Sequence, residues 1–182
     1  MIQTILQAIY FFLPAYFANM APPIVFNIPF IKKINYPLDF KRNLFKKRIF
    51  GDHKTILGSL SGILISPLIF LIQKYLFNFD FFQSISLINY NEFNLVFPFL
   101  LGLGAISGDL IKSFIKRRLN IKPGASFPVF DQLDFVIGAL TLSYFIYLPS
   151  ISIILTLIIL TPILCILINF IAFKLKLKKV WY

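Results

Sequence analysis

Apolar residues along this chain fall into five runs, set apart by short polar or basic stretches. The runs cover residues 2–20, 56–76, 93–107, 135–148 and 152–173. A helix needs about 20 apolar residues to cross the hydrocarbon core of a bilayer, and three of the runs reach roughly that length. The expected elements are five transmembrane helices. The first contains Pro14 and is expected to stop at Pro22-Pro23; the second contains Pro67. Proline is tolerated in a span when neighbouring helices satisfy the backbone groups it frees. Gly58 and Gly62 are four apart in the second run. That spacing lets membrane helices pack closely and would suit a homodimer.

Composition sharpens the picture. Of 182 residues, 58% are hydrophobic and only 14% charged, and the mean hydropathy is +0.83. A soluble domain carries about a quarter charged residues. The fold class is therefore all-α, a polytopic integral membrane protein, with residues 1–182 as a single membrane domain. The lone cysteine, Cys165, lies inside an apolar run and can form no intramolecular disulfide. No Lys or Arg precedes Lys32, so the start of the chain lacks the charged region of a cleaved signal peptide and reads as a retained span.

Charge then orients the chain. Residues 32–54 hold eight Lys/Arg, 112–122 hold five and 174–179 hold four, whereas 77–92 and 149–151 hold none. Five spans put the three basic segments on one side. The positive-inside rule makes that side cytoplasmic, leaving the N-terminus outside and the C-terminus inside. Lys74 is the exception, at a span end from which it can snorkel outward. The expected location is the cell membrane, multi-pass, with basic loops 32–54 and 108–134 in the cytoplasm. A net charge of +11 suits anionic headgroups and nucleotides; nucleic acid is not expected as a partner of a chain that is mostly bilayer.

The third and fourth runs are short, and aspartates sit at their cytoplasmic ends. If the helices continue, Asp109 is carried to the headgroup level, where a bare carboxylate is costly unless paired, metal-bound or hydrated. On a helix Asp109, Lys112, Ser113 and Lys116 fall at i, i+3, i+4 and i+7 and share one face. Asp131 and Asp134, at i and i+3, share another. Three carboxylates converging from two helices require a cation between them, and hard oxygen ligands suit Mg²⁺. Lys112, Lys116, Arg117 and Arg118 would neutralise phosphates. Taken singly, each has a plainer reading: basic clusters after spans mark topology, Asp109 can pair with Lys112, and Asp134 can cap a helix. Together they point to phosphoryl or nucleotidyl transfer on a lipid at the membrane surface, with the three aspartates and Lys116 as candidate catalytic residues. In "GDHKTILG", residues 51–58, a turn, a cation and a hydroxyl precede a span and suit a phosphate at a helix N-terminus, although the P-loop spacing is missing. His53 is the only histidine, and a loop histidine is more often solvated than catalytic.

These residues carry a resemblance. "SGDLIKSFIKRRLNIKPGASFPVFDQLD", residues 107–134, resembles the signature of membrane cytidylyltransferases that make CDP-activated lipids, and is most similar to the archaeal CDP-archaeol synthase branch. "LPAYFANMAPP" (13–23), "IFGDHKT" (49–55) and "LTPILCILINFIAF" (160–173) are similar to that branch too. The resemblance implies that CTP and the phosphate monoester of a dialkylated glycerol give CDP-lipid and pyrophosphate, with Mg²⁺. It implies that Asp109, Asp131 and Asp134 hold the metal and that Lys112, Lys116 and Arg117 neutralise phosphates. It also implies that Lys54 and Thr55 touch nucleotide or lipid phosphate, and that Asn19 faces the site. The chain departs from the family in having Ile56-Leu57 where an aromatic-Arg pair is common, Cys165 for a histidine, and "VWY" at 180–182 for Pro-Trp. The competing expectation is a small transporter or non-catalytic assembly protein for anionic solutes, which would line mid-span positions with polar groups. The apolar segment 123–130 is a candidate interfacial loop beside the lipid entrance.

Overall fold

The computed structural model describes residues 2–121, 125, 127 and 129–174. Lys122, half of the 123–130 segment and the Val180–Tyr182 departure lie outside the described residues. Helix α1 spans Ile2–Asn27, α2 Pro29–Ile34, α3 Ile56–Leu76, α4 Asp80–Ser84, α5 Val96–Arg118, α6 Phe130–Ser143 and α7 Ile151–Lys174. Strands β1 (Asn43–Leu44) and β2 (Lys47–Arg48) form one antiparallel hairpin between α2 and α3.

The second and fifth predicted spans match α3 and α7 to within a residue. The first does not stop at Pro22-Pro23 but continues to Asn27. A proline removes one N–H and frees the carbonyl four residues earlier, and this bundle covers such carbonyls from outside the helix. The carbonyl freed by Pro14, that of Tyr10, accepts a hydrogen bond from Gln73 on α3. The carbonyl freed by Pro22, that of Ala18, abuts Gly62, where a Cβ would lie 2.6 Å from it. Gly58 in turn packs on Pro22, with 3.4 Å from a built Cβ to the proline ring. The Gly58–Gly62 spacing expected to suit a dimer is therefore occupied within the chain, against α1 and α5.

Four described helices are long and apolar enough to cross a membrane: residues 2–26, 56–76, 96–118 and 151–171. The fourth predicted span is displaced. Its helix, α6, starts at Phe130 rather than Phe135, ends at Ser143, and has 14 residues, about 21 Å of rise. The predicted loop 108–134 is helical at both ends, and the connector is residues 119–129. Aromatic packing closes the bundle at the end away from the basic segments, where Tyr10, Phe70, Phe77, Phe97 and Tyr147 surround Tyr90 and Phe93.

What positions the site is the contact between α5 and α6. A Cβ on Gly104 would lie 2.3 Å from the Gly138 carbonyl, and one on Gly108 would lie 2.1 Å from the Asp134 carbonyl. Neither position admits a side chain. The two backbones touch, and the residue after Gly108 is brought beside Asp134.

Candidate active site

Asp109 and Lys112 come from α5, Asp131 and Asp134 from α6, and Lys54 from the loop that enters α3. Lys112 Nζ lies 3.1 Å from Asp109 Oδ1, 3.4 Å from Asp131 Oδ1 and 2.7 Å from Asp134 Oδ2. Asp109 Oδ2 accepts a hydrogen bond from Lys54. The three carboxylates thus converge as the spacing predicts, but the cation at their centre is an ammonium. With Lys112 there, no three acidic, histidine or cysteine side chains among the described residues are placed to share one metal ion. The carboxylates expected around a metal ion here surround an ammonium. The reason is electrostatic: three adjacent carboxylates repel one another, and Lys112 supplies the nearest neutralising charge.

The donor set nonetheless fits Mg²⁺. All the candidate ligands are hard carboxylate oxygens. Both Asp134 oxygens are buried and accept no well-aligned hydrogen bond, although Oδ2 makes its ion contact with Lys112. Buried acceptors left in that state are costly unless another partner arrives. Asp109, Asp131 and Asp134 are the residues that would hold the ion.

Lys116 is committed elsewhere. Its Nζ donates to the Ala125 carbonyl at 2.6 Å and to Asp131 at 3.0 and 3.2 Å. Asp131 also accepts from the Phe127 backbone N–H at 2.6 Å. This pair ties the returning chain to α5, so the structure gives Lys116, read from the sequence as catalytic, a positioning contact. Ser113 Oγ donates to the Asp109 carbonyl within its own helix at 2.9 Å. Arg117 Nε is buried without a hydrogen-bond partner.

A cavity of about 240 Å³ opens beside the aspartates, lined by His53, Lys54, Lys112, Ser113, Lys116 and Arg117 among others. Next to it, Lys47, Arg48, Gly51, Asp52, Arg117 and Asn120 line a second hollow of about 290 Å³. Arg117 belongs to both. His53 sets its ring edge-on against Phe26, 5.2 Å between centroids.

Two predicted residues are not brought to the carboxylates. Thr55 is buried as the N-cap of α3; its Oγ1 accepts from Gly58 N at 3.3 Å and from Asn35 Nδ2 at 2.9 Å. A neutral Thr→Ala change at an N-cap costs about 1 kcal/mol. Thr55→Ala should lower the melting temperature in detergent while turnover, measured below the transition, changes by less than about threefold. Asn19 is half-buried on α1 and makes no hydrogen bond to the aspartates among the described residues.

Sequence reading missed the scaffold of the basic loop. Asp39, fully buried, accepts from Arg48 at 2.7 and 3.1 Å and from the backbone N–H groups of Lys41, Phe50 and Gly51. Gly51 adopts φ +105°, a conformation that favours glycine. The available signal was that residues 32–54 hold only two acids, Asp39 and Asp52, among eight cations. Burial raises the Asp39 pKa, but the Arg48 hydrogen bond and three backbone N–H groups outweigh it and hold the carboxyl well below its ordinary value. A depressed folded pKa contributes stability that is present above the unfolded value of about 3.9 and is lost as pH falls through the folded one. Loop protection in hydrogen exchange should thus be flat from pH 5 to 8 and fail only in stronger acid. Asp39→Asn should expose the Phe50 and Gly51 amides already at pH 7.

A helical membrane bundle that gathers carboxylates and cations around a cavity has the make-up of a membrane enzyme that handles phosphates. The comparisons agree. Residues 1–182 match the family described as CarS-like, CDP-archaeol synthase. The chain is 37% identical over 176 residues to the CDP-archaeol synthase of Methanocaldococcus jannaschii, covering 96% of each. It is 40% identical over 177 residues to that of Pyrococcus furiosus, covering 97% of each. A solved intramembrane enzyme for archaeal membrane lipids biosynthesis superposes with a TM-score of 0.73 at 29% identity, over 91% of this chain and 94% of that one. The chain belongs to the CDP-archaeol synthase family and is a nucleotidyltransferase of membrane lipid biosynthesis.

Proposed function

We propose that this chain transfers a cytidylyl group from CTP to the phosphate of an isoprenoid ether lipid, 2,3-di-O-geranylgeranylglyceryl phosphate or a close relative. A phosphate oxygen of the lipid attacks the α-phosphorus of CTP, the bond from that phosphorus to the bridging oxygen breaks, and pyrophosphate leaves. The observation that carries this reading is the meeting of three carboxylates from α5 and α6 at Lys112, beside a cavity lined by further cations. Phosphoryl-type transfer asks a protein chiefly for positioning and charge neutralisation. Mg²⁺ held by Asp109, Asp131 and Asp134 would neutralise phosphate oxygens and the charge developing on the leaving group.

The chain's own groups divide the remaining work. Arg117, free of ion pairs among the described residues and shared by both hollows, is suited to a phosphate of the nucleotide. Lys54 and Lys112 give the cavity positive charge and are available to phosphate once the carboxylates have another partner. Lys116 with Asp131 fixes the connector that borders the cavity. We place this site on the cytoplasmic side of the cell membrane, with α1, α3, α5, α6 and α7 as five spans and the N-terminus outside, because that arrangement puts the basic segments together. Any homodimer uses a face other than Gly58–Gly62.

The test is pyrophosphate release by purified protein given CTP, Mg²⁺ and either ether or ester lipid phosphates. Release that requires lipid, CTP and Mg²⁺ together, with the ether lipid preferred, is the expected result. Folded protein that releases none would overturn the proposal, and equal rates on both lipids would overturn its ether specificity.

A further inference from the structure

The hairpin loop between α2 and α3 contains the same device twice. Residues 39–42 read Asp-Phe-Lys-Arg and residues 44–47 read Leu-Phe-Lys-Lys. In each, the central Phe-Lys pair has positive φ: Phe40 and Lys41 at 47° and 61°, Phe45 and Lys46 at 49° and 63°. The first turn is closed by Arg42 N donating to the Asp39 carbonyl at 2.8 Å. The second joins β1 to β2 in the register Leu44 opposite Lys47. Two-residue turns of this hand are ordinarily built from Asn-Gly or Asp-Gly, because two consecutive left-handed residues strain any side chain with a Cβ. Here four such positions hold none of those residues, and the strain brings no packing in return: Phe40 is 65% and Phe45 80% exposed.

The loop is not free to swing. Asp39 ties its base, as described above, and Arg118 at the end of α5 donates to the carbonyls of Leu44, Lys47 and Arg48. Lys47 Nζ returns a hydrogen bond to the Arg118 carbonyl at 2.9 Å. Helix α5 has 23 residues, a rise of about 34 Å against a hydrocarbon core of about 30 Å. Its end, and the hairpin clamped to it, therefore stand at headgroup depth. Residues 35–54 hold six Lys/Arg against Asp39 and Asp52, a net charge of +4. Tyr36, 68% exposed, and Phe30 on the short helix before it, 74% exposed, continue the apolar surface back to the end of α1.

We infer that the paired Phe-Lys turns are an interfacial anchor: the two phenyl rings enter the headgroup layer of an anionic leaflet while Lys41 and Lys46 engage its phosphates. Aromatic rings prefer that depth, and basic side chains beside it are attracted by anionic lipid. Anchoring the hairpin would fix the loop that carries Lys54 relative to the surface from which a lipid phosphate arrives. The inference rests on the basic segments lying at a membrane surface and not on the reaction assigned to the site, so the two fail separately.

The test reads fluorescence, not turnover. Trp181 is the only tryptophan, so Phe45→Trp in a Trp181→Phe background reports on one turn. The protein is reconstituted in vesicles of phosphatidylcholine, with or without phosphatidylglycerol, containing lipid brominated near the top of the acyl chain. Blue-shifted emission quenched by the brominated lipid is expected, with quenching at least twofold stronger in the anionic vesicles and reduced by Lys41→Gln with Lys46→Gln. Emission typical of water, unaffected by bromine in either vesicle, overturns the anchor. So does quenching that follows protein density instead of bromine, which means a second copy covers the turn, or a shift seen only with CTP, which means the nucleotide does. A helical circular-dichroism spectrum and melting temperature matching those of the parent protein confirm that the Phe45→Trp reporter is folded.

Discussion

Asp109→Asn should abolish measurable turnover, a loss of at least about 10²-fold. The change preserves shape and removes one charge from a group that meets both Lys54 and Lys112. Leaving a buried partner charge uncompensated costs about 3–5 kcal/mol, and Lys112 would then be drawn further onto Asp134. A purely structural ion pair would also be damaged by this substitution, so the single variant does not decide between the two roles. The double variant Asp109→Asn with Lys54→Gln does. Removing both partners relieves the buried charge and should return the melting temperature towards that of the parent protein. If Asp109 serves the reaction, turnover stays absent in the double variant despite recovered stability, while Lys54→Gln alone, which keeps Asp109, retains measurable turnover. Recovery of turnover along with stability would remove Asp109 from the chemistry and leave it as a brace.

The pairing of groups within each helix is legible in the sequence because it depends on helical period alone. Asp109 and Lys112 lie three apart, as do Asp131 and Asp134, and a helix that simply continues past its apolar run places each pair on one face. Span ends were less legible. Pro22-Pro23 looked like a stop, since nothing in the sequence tells that Gly62 on another helix presents no side chain to the freed Ala18 carbonyl. Thr55 looked like a phosphate ligand for a related reason. A hydroxyl before a helix serves an anion or the helix's own amides equally well, and Asn35, twenty residues earlier, completes the second arrangement. Lys112 at the centre of the carboxylates was the least predictable feature, because spacing shows that a lysine shares the face but not which of three acids it will choose. It reaches all three, and only the closeness of α5 to α6 permits that.

That closeness is the second large effect. Gly108→Ala should cost turnover about 10²-fold or more, although residue 108 touches no substrate group in the proposed reaction. The added methyl would lie 2.1 Å from the Asp134 carbonyl oxygen, a backbone atom that cannot rotate away. The helices must separate, and the carbonyl that moves belongs to the residue whose carboxylate joins the site. Overpacking of this kind costs about 1–3 kcal/mol of stability, whereas a 1 Å displacement of positioned groups can cost 10²-fold in rate. The control is Gly102→Ala on the same helix, where the methyl meets the Ser66 side chain on α3 at 2.7 Å, away from the carboxylates. Both variants should melt at lower temperature. Only Gly108→Ala should lose kcat at a temperature where both remain folded. Equal losses of kcat would mean that general bundle integrity, not the distance between α5 and α6, sets the activity. If Gly108→Ala kept its turnover, the two helices would not need to touch for Asp109 and Asp134 to act together.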